Sequence, residues 1–471
     1  MKDLVVMKFG GTSMGSAERI KGAAALCEEQ FRLRPTVVVV SAMSKVTDLL
    51  LDTLRHAEGG DTGGVERNLA ELAAKHRTCC EGLLTGEDRA RTQAVLDDII
   101  AEFARIANGV LMLGERPPKS VDEAIAVGER LSSHLIAAYV ASRGIDAFAV
   151  NARDIVVTDA VFGSASPLID QTREKAQAIL APALAGRRLP FITGFNGATL
   201  DGRPTTLGRG GSDFSASILA AVLDAEELWI WTDVDGIMSA DPRLVNNARV
   251  LNEITYREAA ELAYNGAKVL HPRTLAPLME KGIPVWSKNS FNPQAPGTRI
   301  VQSSPDSGAG PRAVTSMTNV ALVSLEPASA LLSGTKVLAR AIDALASTNA
   351  EVLALSSSSY RQNFCFLIRQ SELPAVTERL EEAFSLELAH GYMHPIDVDL
   401  DVGLLAIVGE GMKGMSGLAG RIFTSISRED VNIIAIAQGS SELTIAIVVR
   451  RAGVDRAVRA VHSECELGLL P

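Results

Sequence analysis

Cysteine is scarce and unpatterned in this chain. Its 471 residues include five, Cys27, Cys79, Cys80, Cys365 and Cys465, an odd number with no Cys-x-x-Cys pair. That argues against a disulfide framework and a cysteine zinc site, and it reads as the reduced thiols of a cytoplasmic protein. The vicinal pair Cys79-Cys80 is read as helix surface and core rather than as a redox switch. Histidine shows no metal spacing: His390 and His394 are four apart, but Gly391 and Pro395 break the helix that would align them. No uncharged run approaches the ~18 residues of a membrane span. Lys2, Asp3 and Lys8 interrupt the only early apolar stretch, so a signal peptide is not expected. The Gly-x-x-x-x-Gly-Lys-Ser/Thr loop is missing, as are His-Arg-Asp and Asp-Phe-Gly, which excludes a P-loop NTPase and a protein kinase. Positive charge is in deficit, 46 Lys and Arg against 56 Asp and Glu for a net −10. Such a chain is a poor wrapper of nucleic acid, although a local basic site for one phosphorylated ligand stays open.

What is present is a large soluble core. Hydrophobic residues make up 47% and charged residues 22%, and the length suggests about three domains. Over the first 300 residues, short runs at 4–9, 36–41, 146–150, 190–194, 228–232 and 283–286 are rich in Val, Ile, Phe and Trp and apolar on both faces. They read as buried strands, and helical patterns such as 121–142 and 212–223 lie between them. That alternation predicts an α/β fold with an open, mostly parallel sheet covered by helices on both faces. Residues 65–112 read as a helical insertion or lobe. The stretch at 302–312 turns rich in Ser, Pro and Gly and fits a linker. Beyond it lies an internal repeat: 337–359 aligns with 418–440, with Arg340 falling on Arg421. Each copy reads as a helix, a turn at Asn349 or Asp430, a strand, and a second strand at 363–368 or 443–449. Two small ferredoxin-like βαββαβ domains are expected, at 313–398 and 399–471, after a catalytic domain at 1–301. Packing or dimerisation without a ligand is the plainer reading of such a module.

Three segments carry chemistry. Lys8-Phe9-Gly10-Gly11-Thr12-Ser13 follows the first strand and leads to a helix near Ser16. Paired glycines let backbone N–H groups approach a phosphate, and Lys8 adds a point charge; the alternative is an ordinary tight turn. Thr205-Thr206-Leu207-Gly208-Arg209-Gly210-Gly211-Ser212-Asp213 also enters a helix. Ser212 or Asp213 as an N-cap is the plain reading, whereas Arg209 between glycines suits bidentate capture of a carboxylate or phosphate. Trp231-Thr232-Asp233-Val234-Asp235-Gly236 ends a strand, where an open parallel sheet binds its ligand, and Asp241-Pro242-Arg243 follows. Asp235-Gly236 itself reads as a turn. Asn265-Gly266-Ala267-Lys268 places one more lysine near a helix start.

Taken with Ser41, Thr47-Asp48, Gly128-Glu129 and 266–272, the order and spacing of these motifs resemble aspartate kinases of the amino-acid-kinase superfamily. The resemblance spans nearly the whole chain, and the C-terminal repeats resemble tandem ACT domains. It implies that Lys8, Gly10, Gly11, Thr232, Asp233, Met238, Arg243 and Lys268 contact ATP, Met238 standing where some relatives carry tyrosine. It implies Ser41, Thr47, Glu129, Arg209 and Ser212 for the aspartate, and Lys8 with Asp213 for catalysis. Mg²⁺ would arrive with ATP, held mainly by phosphate oxygens, with no metal site of the protein's own. Asp430, Asn432 and Gln438 fall on the family's effector segment, with threonine, lysine, both or neither as effector. The first repeat departs from the pattern at Ser357 and Arg361. A homodimer or homotetramer is expected, with no nucleic-acid or membrane partner. Ending at Pro471, the chain is read as leaving no room for the homoserine dehydrogenase fused to some relatives. Other kinases of the superfamily, acting on acetylglutamate, glutamate or carbamate, and an inactive ACT-domain sensor are the alternatives.

Overall fold

A computed structural model describes residues 3–267, 269–304, 310–328, 332–348, 350–358 and 363–469. Met1–Ile237 with Leu270–Gln302 form one compact unit, and Met238–Val269 with Ser303–Pro471 a second.

In the first unit the strand Val5–Phe9 is buried along its whole length, because each face meets a layer of helices. Val5, Met7 and Phe9 pack with Ile20, Ala23 and Cys27 of the helix Ala17–Leu33 and with Leu131 and Leu135 of the helix Val127–Ser142. Successive strand residues point to opposite faces, so Val6 and Lys8 look to the other side, where the helix Gly211–Val222 contacts the strand. In the large sheet, strands of this unit run in the order Ala147–Val150, Leu189–Thr193, Thr36–Val40, Val5–Phe9, Glu227–Thr232, Val285–Asn289, Thr298–Val301. All neighbours are parallel except the last pair. The chain leaves Val5–Phe9 toward one side and returns to its other side with Glu227–Thr232. The carboxyl ends of these two strands therefore open a switch-point crevice.

All six strand runs seen in the sequence form, their ends shifted by up to three residues. The segment 121–142 is two helices, Pro118–Ile125 and Val127–Ser142, meeting at Ala126. The helical stretch is a pair, Thr62–Leu83 and Gly86–Leu113. It is no separate lobe: Leu72, Cys79, Cys80, Leu96 and Phe103 share one core with the sheet and with Leu50 and Leu54. Burial pushes the Cys79 thiol up to about 12, which suits an inert core residue. Among the described residues no helix is long and apolar enough to cross a membrane.

The second unit holds two four-stranded sheets. One orders Ala354–Ser357, Phe364–Arg369, Val320–Leu325 and Asp397–Asp399. The other orders Ala313–Met317, Val402–Val408, Thr444–Arg450 and Ile433–Gln438. Both have the ferredoxin-like strand order, but the boundary expected at 399 does not separate them. Ala313–Met317 pairs antiparallel with Val402–Val408 and supplies the edge strand of the later sheet, so the earlier domain is inserted within the later one. A helix–strand repeat aligned along the chain is blind to this, because an edge strand joins its sheet through non-local pairing. The aligned arginines do hold matching places: Arg340 pairs with Glu387, and Arg421 with Glu464 at 2.9 Å.

The span 238–269 packs with the second unit. Ala240 and Val245 pack with Ile422, Val454 and Val458, and the Ser239 hydroxyl lies 3.0 Å from His462 Nε2. Its loops carry no periodic pattern from which that packing could have been read. Of the linker, 305–309 lie outside the described residues, as do Lys268, Asn349 and Arg361.

Candidate active site

At the carboxyl ends of the first unit's strands lies a cavity of ≈ 790 Å³. Lys8, Gly10 and Gly11 reach it from the first strand, and Ser41 to Lys45 from the second. Trp231, Thr232 and Asp233 come from the strand Glu227–Thr232. Three helices present their first turns to it: Thr47 and Asp48 of Val46–Glu58, Glu129 of Val127–Ser142, and Gly211, Ser212 and Asp213 of Gly211–Val222. The helix after the glycine pair is not one of them. It starts at Ala17 behind the N-cap Ser16, a further turn beyond Gly11. The N-cap of Gly211–Val222 is Gly210, so Ser212 and Asp213 stand inside the first turn and are not caps.

Eleven of the residues singled out in the sequence converge here: Lys8, Gly10, Gly11, Ser41, Thr47, Glu129, Arg209, Ser212, Asp213, Thr232 and Asp233. Met238 and Arg243 belong to the second unit and are not among the lining residues. Arg243 is exposed and grips Asp241, its Nε lying 3.0 Å from Oδ1. Lys268 lies outside the described residues. Asp430, with a left-handed φ of 54°, follows the helix Leu418–Arg428 in the second unit; Asn432 and Gln438 there are exposed, Gln438 ending an edge strand.

Lys8 and Glu129 are two of the buried ionisable groups on the wall. Lys8, 7% exposed, holds its ammonium 2.7 Å from Asp213 Oδ1. The contact is an ion pair out of line for a hydrogen bond, and Asp213 Oδ1 has no hydrogen-bond partner. Glu129, 3% exposed, leaves its Oε2 with no partner at all. Burial pushes the Glu129 carboxyl up to about 8, against the opposing pull of the Ala42 N–H and the Lys8 charge. Glu129 can stand so close to the 41–43 turn because its neighbour is glycine: a Cβ on Gly128 would come within 2.8 Å of Ala42 Cβ.

Arg209 is exposed and has no ion pair with any described residue. Its flanking glycines both sit in the left-handed region, φ 76° at Gly208 and 70° at Gly210, which side chains resist. Thr232 Oγ1 is partly committed to its own turn, accepting from the Val234 N–H at 3.3 Å. Asp235 accepts from the Asn289 and Asn292 amides at 2.8 and 3.1 Å, the structural turn expected of it.

The wall residues that sequence reasoning missed include Lys45, Asp122, Phe195 and Gly163. Lys45 and Phe195 have φ of 65° and 72°, conformations no composition signal betrays. Asp122 lies seven residues before Glu129, a spacing hidden by the helix break at Ala126. Among the described residues no group of three or more His, Cys, Asp or Glu could hold a metal ion.

The cavity thus offers a buried glutamate with one unpartnered oxygen for a cation, an exposed guanidinium for an anion, and a buried lysine at a glycine-lined strand end. Comparisons with known proteins give the chain's family. Residues 3–289 match the amino acid kinase family and residues 405–465 the ACT domain. The chain is 37% identical over 466 residues to the bifunctional aspartokinase/homoserine dehydrogenase 1 of Arabidopsis thaliana, covering 97% of this chain and 50% of that one. It is 31% identical to the aspartokinase 3 of the same plant, covering 97% and 81%. The crystal structure of E. coli aspartokinase III in complex with aspartate and ADP superimposes with a TM-score of 0.83 at 29% identity, over 98% of this chain and 99% of that one. The same enzyme with lysine and aspartate gives 0.81 at 30% identity, over 98% and 99%. The chain spans about half the length of the first curated relatives it matches.

Proposed function

Because the chain belongs to the amino acid kinase family and, within it, to the aspartokinases, we propose that it transfers the γ-phosphoryl group of ATP to the side-chain carboxylate of L-aspartate. The observation that carries this is the Glu129 carboxyl group, buried with its Oε2 unpartnered in the cavity that also holds the Lys8–Asp213 pair. A zwitterionic amino acid supplies what each free group lacks: its ammonium for Glu129, its α-carboxylate for Arg209. Ser41, Thr47 and Ser212 stand beside them as hydroxyl partners.

The side-chain carboxylate, with a reference pKa of ~3.9, is ionised at pH 7 and needs no general base. Its oxygen forms a bond to the γ-phosphorus while the bridging P–O bond to the β-phosphate breaks, and ADP leaves with that electron pair. The product is an acyl phosphate, 4-phospho-L-aspartate. Catalysis is then positioning plus charge neutralisation. Lys8 sits at the end of its strand beside Gly10 and Gly11, where the phosphates enter, and Asp213 holds its ammonium there beforehand. Thr232 and Asp233 line the nucleotide side. The cavity wall carries the carboxylates of Asp48, Asp122, Glu129, Asp213 and Asp233, and a cation carried in with ATP would be held mainly by phosphate oxygens. Mg²⁺ bound with ATP would supply neutralisation of phosphate charge.

The second unit is proposed to bind an amino-acid effector, threonine or lysine or both, at Asp430, Asn432 and Gln438, and the enzyme is proposed to be a homodimer or homotetramer. The five thiols, none bonded to another, fit the reducing cytoplasm.

The test is ADP release from Mg·ATP and L-aspartate, with hydroxylamine trapping the acyl phosphate, with and without threonine and lysine. Aspartate-dependent hydroxamate is expected, falling ~10²–10³-fold in Lys8→Ala, the loss of ~3–4 kcal/mol typical of one preorganised donor. Absence of hydroxamate under every condition, with amino acids still binding, would favour a sensor instead. Turnover on acetylglutamate, glutamate or carbamate in place of aspartate would move the assignment within the family.

A further inference from the structure

Two buried carboxyl groups reach the cavity wall from the adjoining helices Pro118–Ile125 and Val127–Ser142, and of the two only Glu129 leaves an oxygen unpartnered. Asp122, 1% exposed, accepts three hydrogen bonds. Its Oδ2 takes the N–H of Gly163 at 2.8 Å and that of Thr206 at 2.9 Å, and its Oδ1 takes the Thr206 hydroxyl at 2.8 Å. Both partners line the cavity, and Thr206 ends the short strand Pro204–Thr206 three residues before Arg209. The two tethered segments also lie on each other. The Ala165 N–H donates to the Thr206 carbonyl at 2.9 Å, and a Cβ on Gly208 would come within 3.1 Å of the Gly163 carbonyl oxygen. From the other side Arg273 donates to the Ala165 carbonyl at 2.9 Å and the Leu207 carbonyl at 3.3 Å.

The loop so held is one that cannot hold itself. Arg209 is exposed, and glycines in the left-handed region flank it on both sides. Glycine gives such a turn at the cost of local rigidity. We infer that Asp122 is a positioning residue: its carboxylate locks the Gly163 turn to the end of the Pro204–Thr206 strand, and so fixes where Arg209 meets the α-carboxylate of the substrate. This rests on the aspartate kinase reading for the identity of the substrate, but not for the tether.

Steady-state kinetics on wild type, Asp122→Ala, Asp122→Asn, Arg209→Ala and the double alanine variant test it, alongside backbone amide exchange of the ligand-free proteins. Asp122→Ala should raise the aspartate KM about 10- to 100-fold, the effect of losing buried charge-assisted bonds and misplacing a binding group. The ATP KM should move by less than about twofold, since no tethered segment lies on the nucleotide side. Asp122→Asn should recover most of the loss: its amide oxygen can take both N–H groups while the Thr206 hydroxyl turns to accept from the amide. In the Arg209→Ala background Asp122→Ala should add little, because the group it positions is gone. Exchange should quicken at Gly163 and Thr206 in Asp122→Ala.

Full additivity with Arg209→Ala, or an ATP KM that rises in step with the aspartate KM, would overturn the proposal. Unchanged exchange at the two amides would overturn it as well. If wild type makes no acyl phosphate from aspartate, the functional reading has failed by itself, and the exchange arm still decides the tether. Should Asp122→Ala not fold, Thr206→Val, which removes only the hydroxyl bond, carries the same comparison: the aspartate KM should rise alone, and a flat value refutes the tether.

Discussion

Glu129 should make aspartate binding depend steeply on pH in a range where free aspartate hardly changes charge. Its carboxyl is raised by burial to about 8 in the ligand-free cavity. At pH 7 about nine in ten molecules then hold it protonated, and only the ionised remainder can pair with the substrate ammonium. Apparent affinity should follow the ionised fraction, rising about fifty-fold from pH 6 to pH 8 and no more than about twofold beyond. Titration calorimetry with aspartate in buffers of different ionisation heat should register about 0.9 proton released per molecule bound at pH 7. Glu129→Gln should bind weakly, with a flat profile and no proton release. The same residue sets a stability trend of defined sign. Its folded value lies above the ordinary 4.5, so its contribution is fully present below about 4.5 and is lost as pH rises through about 8. At ~1.4 kcal/mol per unit, that loss is of order 5 kcal/mol. Glu129→Gln should therefore gain stability over wild type as pH rises, levelling off above about 8, in urea midpoints. A flat wild-type affinity between pH 6 and pH 8, or a slope that survives in Glu129→Gln, would refute the reasoning.

Three further outcomes follow from packing. Lys45 carries a left-handed φ of 65° beside the cavity, so Lys45→Gly should stabilise the fold by about 1 kcal/mol in denaturant midpoint; destabilisation would mean the side chain anchors the turn. Gly128→Ala places a Cβ 2.8 Å from Ala42 Cβ and 3.2 Å from Val46 Cγ1, so it should cost ~1–3 kcal/mol and raise the aspartate KM by displacing the 41–45 turn. Unaltered kinetics there would show that the turn can move without harm. Phe103→Ala empties a fully buried site in the helical pair and should cost ~3–5 kcal/mol in one cooperative transition, because the pair shares the sheet's core. An early, separate transition would show an independent lobe.

Much of this protein was settled by local pattern. Six buried strands, their helical crossovers and the glycine-bearing turns at strand ends follow from side-chain periodicity and backbone freedom, which act within a few residues. Those turns place Lys8, Gly10, Gly11, Arg209, Asp213 and Asp233 on one wall because a parallel sheet puts its carboxyl ends on one side. What only the tertiary structure decided depends on groups far apart in the chain. Ala313–Met317 crosses to the later sheet, the 238–269 segment joins the second unit, and Asp122 ties residues 41 and 84 positions away. Nor does an acidic residue's type reveal its state: Glu129 and Asp122 lie two turns apart in sequence, one with an oxygen left unpartnered and one triply bonded. Burial and hydrogen bonding set that difference, and both are properties of what surrounds a side chain.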